Sequence, residues 1–142
     1  MLIQSNLKKI LMLDTIFYCD DNTISGKRQF QGEQRFCAIE ACAQICAMHV
    51  RRRNVFNCHA FLLSISSVKP LPPKRLNGMG QLFGRLKGIS QQAFSYDVKF
   101  QLENTAPSQV KLTIGTKEYG EMFKQEKLRQ HYQQLFSSLG HC

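Results

Sequence analysis

Between Cys37 and Met48 nearly every side chain is apolar or small, and only Glu40 and Gln44 are strongly polar. They stand four residues apart, so on a helix they share one face, a turn from each other. Burying an unpaired carboxylate is costly, and such a group tends to keep its proton to higher pH. Glu40 is therefore a candidate general acid or base. The alternative is structural: Glu40 pairs with a basic residue at the helix edge, Arg35 or Arg53. Two other groupings could carry chemistry. Cys42, Cys46 and His49 share a helix face, but none of the six cysteines forms a CxxC pair. A structural zinc site needs paired thiolates closing on a fourth ligand, so no metal is expected. Cys37 at the helix start, with His59 as its base, would suit a cysteine hydrolase. A histidine at position 59 reads first as a buried strand residue.

These residues need a frame. A helix from about Arg35 to Arg52, apolar all round, belongs inside a core rather than on a surface. Arg51, Arg52 and Arg53 follow it, where cations suit the helix C-terminus. Ahead of it the chain is apolar enough for a strand from Leu7 to Tyr18, then turns at Asp20-Asp21-Asn22. A second strand runs from Thr23 to Phe30, and Gly32 ends it. After the helix, His59 to Ile65 reads as a buried strand stopped by Pro70, Pro72 and Pro73. A shorter strand covers about Met79 to Ile89. Phe94, Tyr96, Val98, Phe100 and Leu102 alternate with polar residues in the clearest strand pattern here, and Val110, Leu112 and Ile114 repeat it. From Glu118 to Leu139 the helical period returns, with Leu128, Tyr132, Leu135, Phe136 and Leu139 along one stripe.

One enclosed helix followed by antiparallel strands describes an α+β sheet curled about that helix. Hot-dog and cystatin-like folds both do this, and the all-round apolar helix favours the hot dog. The expected organisation is a hot-dog domain over 1–117 and a C-terminal amphipathic helix over 118–142. At 142 residues, 43% of them hydrophobic, the chain supports one core. No apolar run approaches the length of a membrane span. Lys8 and Lys9 before Ile10-Leu11-Met12-Leu13 imitate a signal peptide, but the apolar stretch is short and lacks a small-residue cleavage site. The expected location is the cytoplasm. A net charge of +9 favours an acidic partner. The scattered lysines and arginines match no known nucleic-acid reader, so a basic nucleic-acid-binding module stands only as an alternative.

The segment Ala38-Ile39-Glu40-Ala41-Cys42-Ala43-Gln44 resembles the central-helix motif Ile-Glu-Ala-x-Ala-Gln of 3-hydroxyacyl-acyl-carrier-protein dehydratases. Upstream, Gln29-Phe30-Gln31-Gly32 resembles that family's His-Phe-Pro-Gly, keeping Phe30 and Gly32 but placing glutamine at the His and Pro positions. Met12-Leu13-Asp14 is similar to the family's N-terminal segment, and Phe61 to Pro70 to its strand after the helix. The resemblance covers about Ile10 to Lys117. A closer likeness, in the shortened loop before the helix and the His-Ala-Phe-Leu-Leu strand start, is to the dehydratase-like small proteins of aryl polyene (bacterial polyketide pigment) clusters.

The resemblance implies roles. Glu40 matches the catalytic carboxylate, Gln44 the glutamine that supports it, and Gln29 the position of the catalytic histidine. Dehydration requires a base for the C2 proton and an acid for the leaving hydroxyl, which the family divides between His and Glu of opposite subunits. A glutamine cannot exchange a proton near neutral pH. The expectation is weak or absent activity alone, and a composite site when a heterodimer with an active relative supplies the histidine. His59 is the alternative base. The expected partners are an acidic acyl carrier protein bearing the acyl thioester, and a second subunit as a homodimer or heterodimer. No cofactor is expected. A thioesterase of the same fold, using Glu40 to activate water, is the alternative activity.

Overall fold

The computed structural model describes residues 11–120 and 122–140. In chain order these form β1 (Thr15–Cys19), β2 (Thr23–Gln34), α1 (Phe36–Arg53), β3 (Cys58–Lys69), β4 (Arg75–Ser90), β5 (Ala93–Leu102), β6 (Ser108–Glu118) and α2 (Met122–Leu139). All strand pairs are antiparallel, in one six-stranded sheet of order β1-β2-β4-β5-β6-β3. Between β2 and β3 the chain crosses from one side of the sheet to the far edge, and α1 is that crossing. The sheet curls around it, as the apolar composition of α1 requires.

The inward residues of β5 are all buried: Phe94, Tyr96, Val98, Phe100 and Leu102. Val110, Leu112 and Ile114 of β6 join them against Ala41, Cys42, Ile45 and Cys46 of α1. Close approach of helix and sheet depends on Gly26, where a Cβ would lie 2.7 Å from the Thr15 carbonyl and 2.9 Å from Ile45 Cδ1. The apolar stripe expected along α2 packs onto the same core, with Phe136 and Leu139 inside it.

Several expectations need correction. Gly32 does not end β2. It sits at φ +87° where the pairing with β4 slips between Gln31 and Glu33, and the strand continues to Gln34. This is a bulge, with glycine supplying the left-handed residue. The strand expected from Leu7 begins at Thr15, residues 7–10 lying outside the described residues. The strand expected over Met79 to Ile89 is longer at both ends. The segment His59 to Ile65 is a strand but not a buried one. Only Cys58 and Ala60 are covered, while Phe61, Leu62, Leu63 and Ile65 stand exposed on an edge strand. Cysteines 37, 42, 46 and 58 carry buried free thiols, whereas Cys19 is disulfide-bonded.

Arg51, Arg52 and Arg53 do more than end the helix. Arg51 donates to the Ala60 carbonyl at 2.9 Å, Arg52 pairs with Asp21 at 3.4 Å, and Arg53 donates to the Asp21 carbonyl. Together they tie the end of α1 to β3 and to the β1–β2 turn. His49 makes a fourth tie and is fully buried. Its Nε2 lies 2.7 Å from the Asp20 carbonyl and its Nδ1 lies 2.6 Å from the Tyr96 hydroxyl. A carbonyl only accepts, so Nε2 carries the proton and Nδ1 accepts from Tyr96. With both nitrogens occupied, His49 is not a free metal ligand.

Burial is the main cause that lowers the pKa of His49, with Arg53 and Arg52 adding to it. The folded state therefore holds His49 neutral, while the unfolded chain takes up a proton near the ordinary value of about 6.5. Stability from this source is complete above that pH and declines as pH falls below it. In urea unfolding, the midpoint should drop between pH 7.5 and 5.5, and His49→Gln should flatten that dependence. Some slope remains from His59, whose pKa burial also lowers. An equal slope in both proteins would refute this role.

Candidate functional site

On α1, the residues Phe36, Glu40 and Gln44 fall at i, i+4 and i+8, on the side that the sheet leaves uncovered. Phe36 is 62% exposed and Glu40 is exposed, while Gln44 is partly covered. Within the single protomer the Glu40 side chain is therefore not enclosed, although most of the helix around it is. The sheet wraps the faces carrying Ala38, Ala41, Cys42 and Ile45, and this stripe is the remainder.

The structure does bring Glu40 and Gln44 together. Gln44 Nε2 donates to Glu40 Oε1 at 3.2 Å, and Gln44 Oε1 accepts the Met12 N–H at 2.7 Å. The amide thus fixes the carboxylate on one side and the N-terminal segment on the other. The structural alternative for Glu40 is not realised. Arg35 Nε donates to the Pro72 carbonyl at 2.5 Å, Arg53 is held by Asp21, and no ion pair among the described residues includes Glu40.

Glu40 opens one end of a groove of about 210 Å³ along α1. Ala43 and Ala47 of α1, Phe61 and Leu62 of β3, Leu11 and Leu135 are among the residues that line it. Most of the lining is apolar.

The other expected residues lie apart from this groove. Gln29 is exposed on β2, next to the buried Phe30, so strand alternation turns it to the opposite face from α1. Its N–H donates to the Asp14 carboxylate at 2.6 Å. Within one protomer no contact among the described residues joins Gln29 to Glu40. His59 is held edge-on by Tyr119 and Tyr132, at ring-centroid distances of 4.7 and 6.4 Å. It neighbours Ala60, which Arg51 binds, so it stands at the end of α1 away from Glu40. Cys37 lies in the first turn of that 18-residue helix, about 20 Å from the last turn. Burial pushes its thiol upward, and Glu33 adds to this. The Cys37–His59 hydrolase pairing is thereby excluded. Cys42 and Cys46 are fully buried, and no group of three metal-ligating side chains is found among the described residues.

One constellation escapes sequence reading. Arg28 pairs with Glu33 at 3.1 Å and donates to the Leu11 carbonyl at 2.7 Å, beside the start of α1. Five residues apart on a regular strand, the two would face opposite ways. The bulge at Gly32 adds one residue and restores them to one side. The glycine was visible in the sequence; its register slip was not. Gly32 thus shapes the approach to the helix without touching Glu40.

No family model matches the chain, and no curated protein matches it. Solved structures do. The dehydratase heterocomplex ApeI:P from Xenorhabdus doucetiae matches over 81% of this chain and 88% of that one, with a TM-score of 0.65 and 14% identity. The putative thioesterase yhdA from Lactococcus lactis matches over 80% and 98%, with 0.64 and 17%. A hypothetical thioesterase with coenzyme A from Streptococcus pneumoniae matches over 83% and 96%, with 0.64 and 11%. The chain has the hot-dog fold, α+β, as its sheet order and enclosed helix require.

The Gln44 bridge has a measurable consequence. A net hydrogen bond of this kind contributes about 1 kcal/mol, or roughly fivefold in an opening equilibrium. Gln44→Leu should speed hydrogen exchange of the Met12 amide by about that factor while leaving β5 amides unchanged. Unaltered exchange at Met12 would contradict the bridge.

Proposed function

We propose that this chain is a dehydratase-like acyl-thioester subunit of fatty acid or polyketide biosynthesis, of the aryl polyene type. In this reading it acts in a two-subunit assembly with a histidine-bearing relative, and an acyl carrier protein delivers the substrate. The observation that carries the reading is Glu40, held by Gln44 at the mouth of an apolar groove, with no histidine beside it among the described residues. The Ile-Glu-Ala-x-Ala-Gln pattern and the fold shared with a dehydratase heterocomplex support it. Glu40 exchanges a proton with the 3-hydroxyacyl group, and Gln44 orients its carboxylate. The partner's histidine performs the second proton transfer, which Gln29 cannot. The reading places the protein in the cytoplasm.

The edge strand supports a second subunit. Leu63 is 56% exposed, Phe61 44% and Ile65 40%, on a strand with one side unpaired. Covering each such side chain stabilises by about 1 kcal/mol or more. An open, apolar edge is a template for another chain. Leu63→Lys, placing a cation there, should shift sedimentation toward the single protomer at micromolar concentration. An unchanged assembly would mean that β3 is not the interface.

The purified chain alone should turn over 3-hydroxyacyl thioesters at least a hundredfold more slowly than its complex with a histidine-bearing dehydratase, the contribution of one acid–base group being about 10²–10⁴. In that complex, Glu40→Gln should lower the rate of its own composite site by a similar factor. Full activity of the isolated chain, or no loss in the Glu40→Gln complex, would overturn the assignment. The thioesterase reading is supported by the two thioesterase neighbours. Hydrolysis of acyl thioesters lacking the 3-hydroxyl would establish it instead.

A further inference from the structure

We infer that α2, through Leu135, sets the length of acyl chain that the Glu40 groove accepts. This rests on the reading of the groove as an acyl-thioester site. The groove runs along α1 from Glu40 to Arg51, a rise of about 16 Å. Its two ends differ. At Glu40 it is open and polar, fitting the thioester and the 3-hydroxyl. The alkyl chain must then run over Ala43 and Ala47, whose small side chains leave room, toward Met48, Arg51 and Leu135.

The groups that line that far end are anchored. Arg51, which lines the groove, has its guanidinium held by two partners: the Ala60 carbonyl, and the Tyr132 ring with the guanidinium 4.1 Å from its centre. A guanidinium held in this way leaves its hydrocarbon stem to contact a ligand. Tyr132 and Phe136 of α2 are both buried, and the Phe136 ring packs edge-on against Phe56 at 5.6 Å. These contacts fix the helix turn that carries Leu135, so Leu135 is a fixed wall rather than a movable one. It is only partly buried, which leaves its side chain with surface free for a ligand. The likeness to dehydratases stops before α2, so the stop belongs to this chain's own extension.

The test is binding of 3-hydroxyacyl-pantetheine thioesters of graded chain length to the purified full chain in its native assembly. The unmodified protein should show a length of tightest binding and a steep loss beyond it. Leu135→Ala should move that optimum to longer chains, tightening the first length beyond it by about tenfold. Leu135→Phe, filling the same space, should move it to shorter chains. Two variants with opposite effects separate a stop from a loss of folding, which would weaken all lengths together. If both remain folded by circular dichroism and keep the unmodified length profile, the inference fails while the site reading stands. If the unmodified chain binds no length at all, the site reading fails and takes this inference with it.

Discussion

The architecture depends on enclosing one helix whose surface is apolar almost all the way round. No single curled sheet can do this, because a six-stranded layer wraps only part of a cylinder. Here the sheet covers the faces of α1 that carry Ala38, Ala41, Cys42, Ile45 and Cys46. α2 covers the last turns through Tyr132, Leu135 and Phe136. What neither covers is the stripe of Phe36, Glu40 and Gln44, together with the apolar edge strand beside it. The polar pair sits where enclosure stops. Its position follows from the geometry of wrapping, and a second subunit on β3 would complete that wrapping and bring Glu40 out of water.

The bonds around the stripe show how the fold prepares it. Gln44 spends its two polar atoms on Glu40 and on the Met12 N–H, fixing both in place. Arg28, Glu33 and the Gly32 bulge shape the chain just ahead of the helix. At the other end, Arg51, Arg52, Arg53 and His49 bind the turn after β1, Tyr96 and the start of β3. The helix is therefore held at both ends, while the stripe that carries Glu40 stays uncovered between them.

Much of this was legible in the sequence where a single period dominates. The alternation from Phe94 to Leu102 gave β5 residue by residue, and the run from Phe36 to Val50 gave the enclosed helix. The leucines and aromatics of α2 gave its buried stripe. What escaped depends on relations between segments. An apolar strand such as Phe61 to Ile65 has the same composition whether it lies in the centre of a sheet or awaits a partner at its edge. A carboxylate among alanines and cysteines has the same neighbours in sequence whether its face is covered or bare. A bulge changes which side chains share a face without leaving a pattern, so Arg28 and Glu33 did not appear as a pair.

The central claim is that Glu40 is exposed in one protomer because a second subunit covers it. Carbodiimide labelling read by mass spectrometry tests this directly, with Asp21, whose side chain is 83% exposed at the distant β1–β2 turn, as internal reference. As concentration drives association, with the partner dehydratase present, labelling of Glu40 relative to Asp21 should fall at least severalfold. If Glu40 and Asp21 label at the same ratio in the assembled and the dilute protein, the carboxylate faces water in the finished molecule and the composite site does not exist.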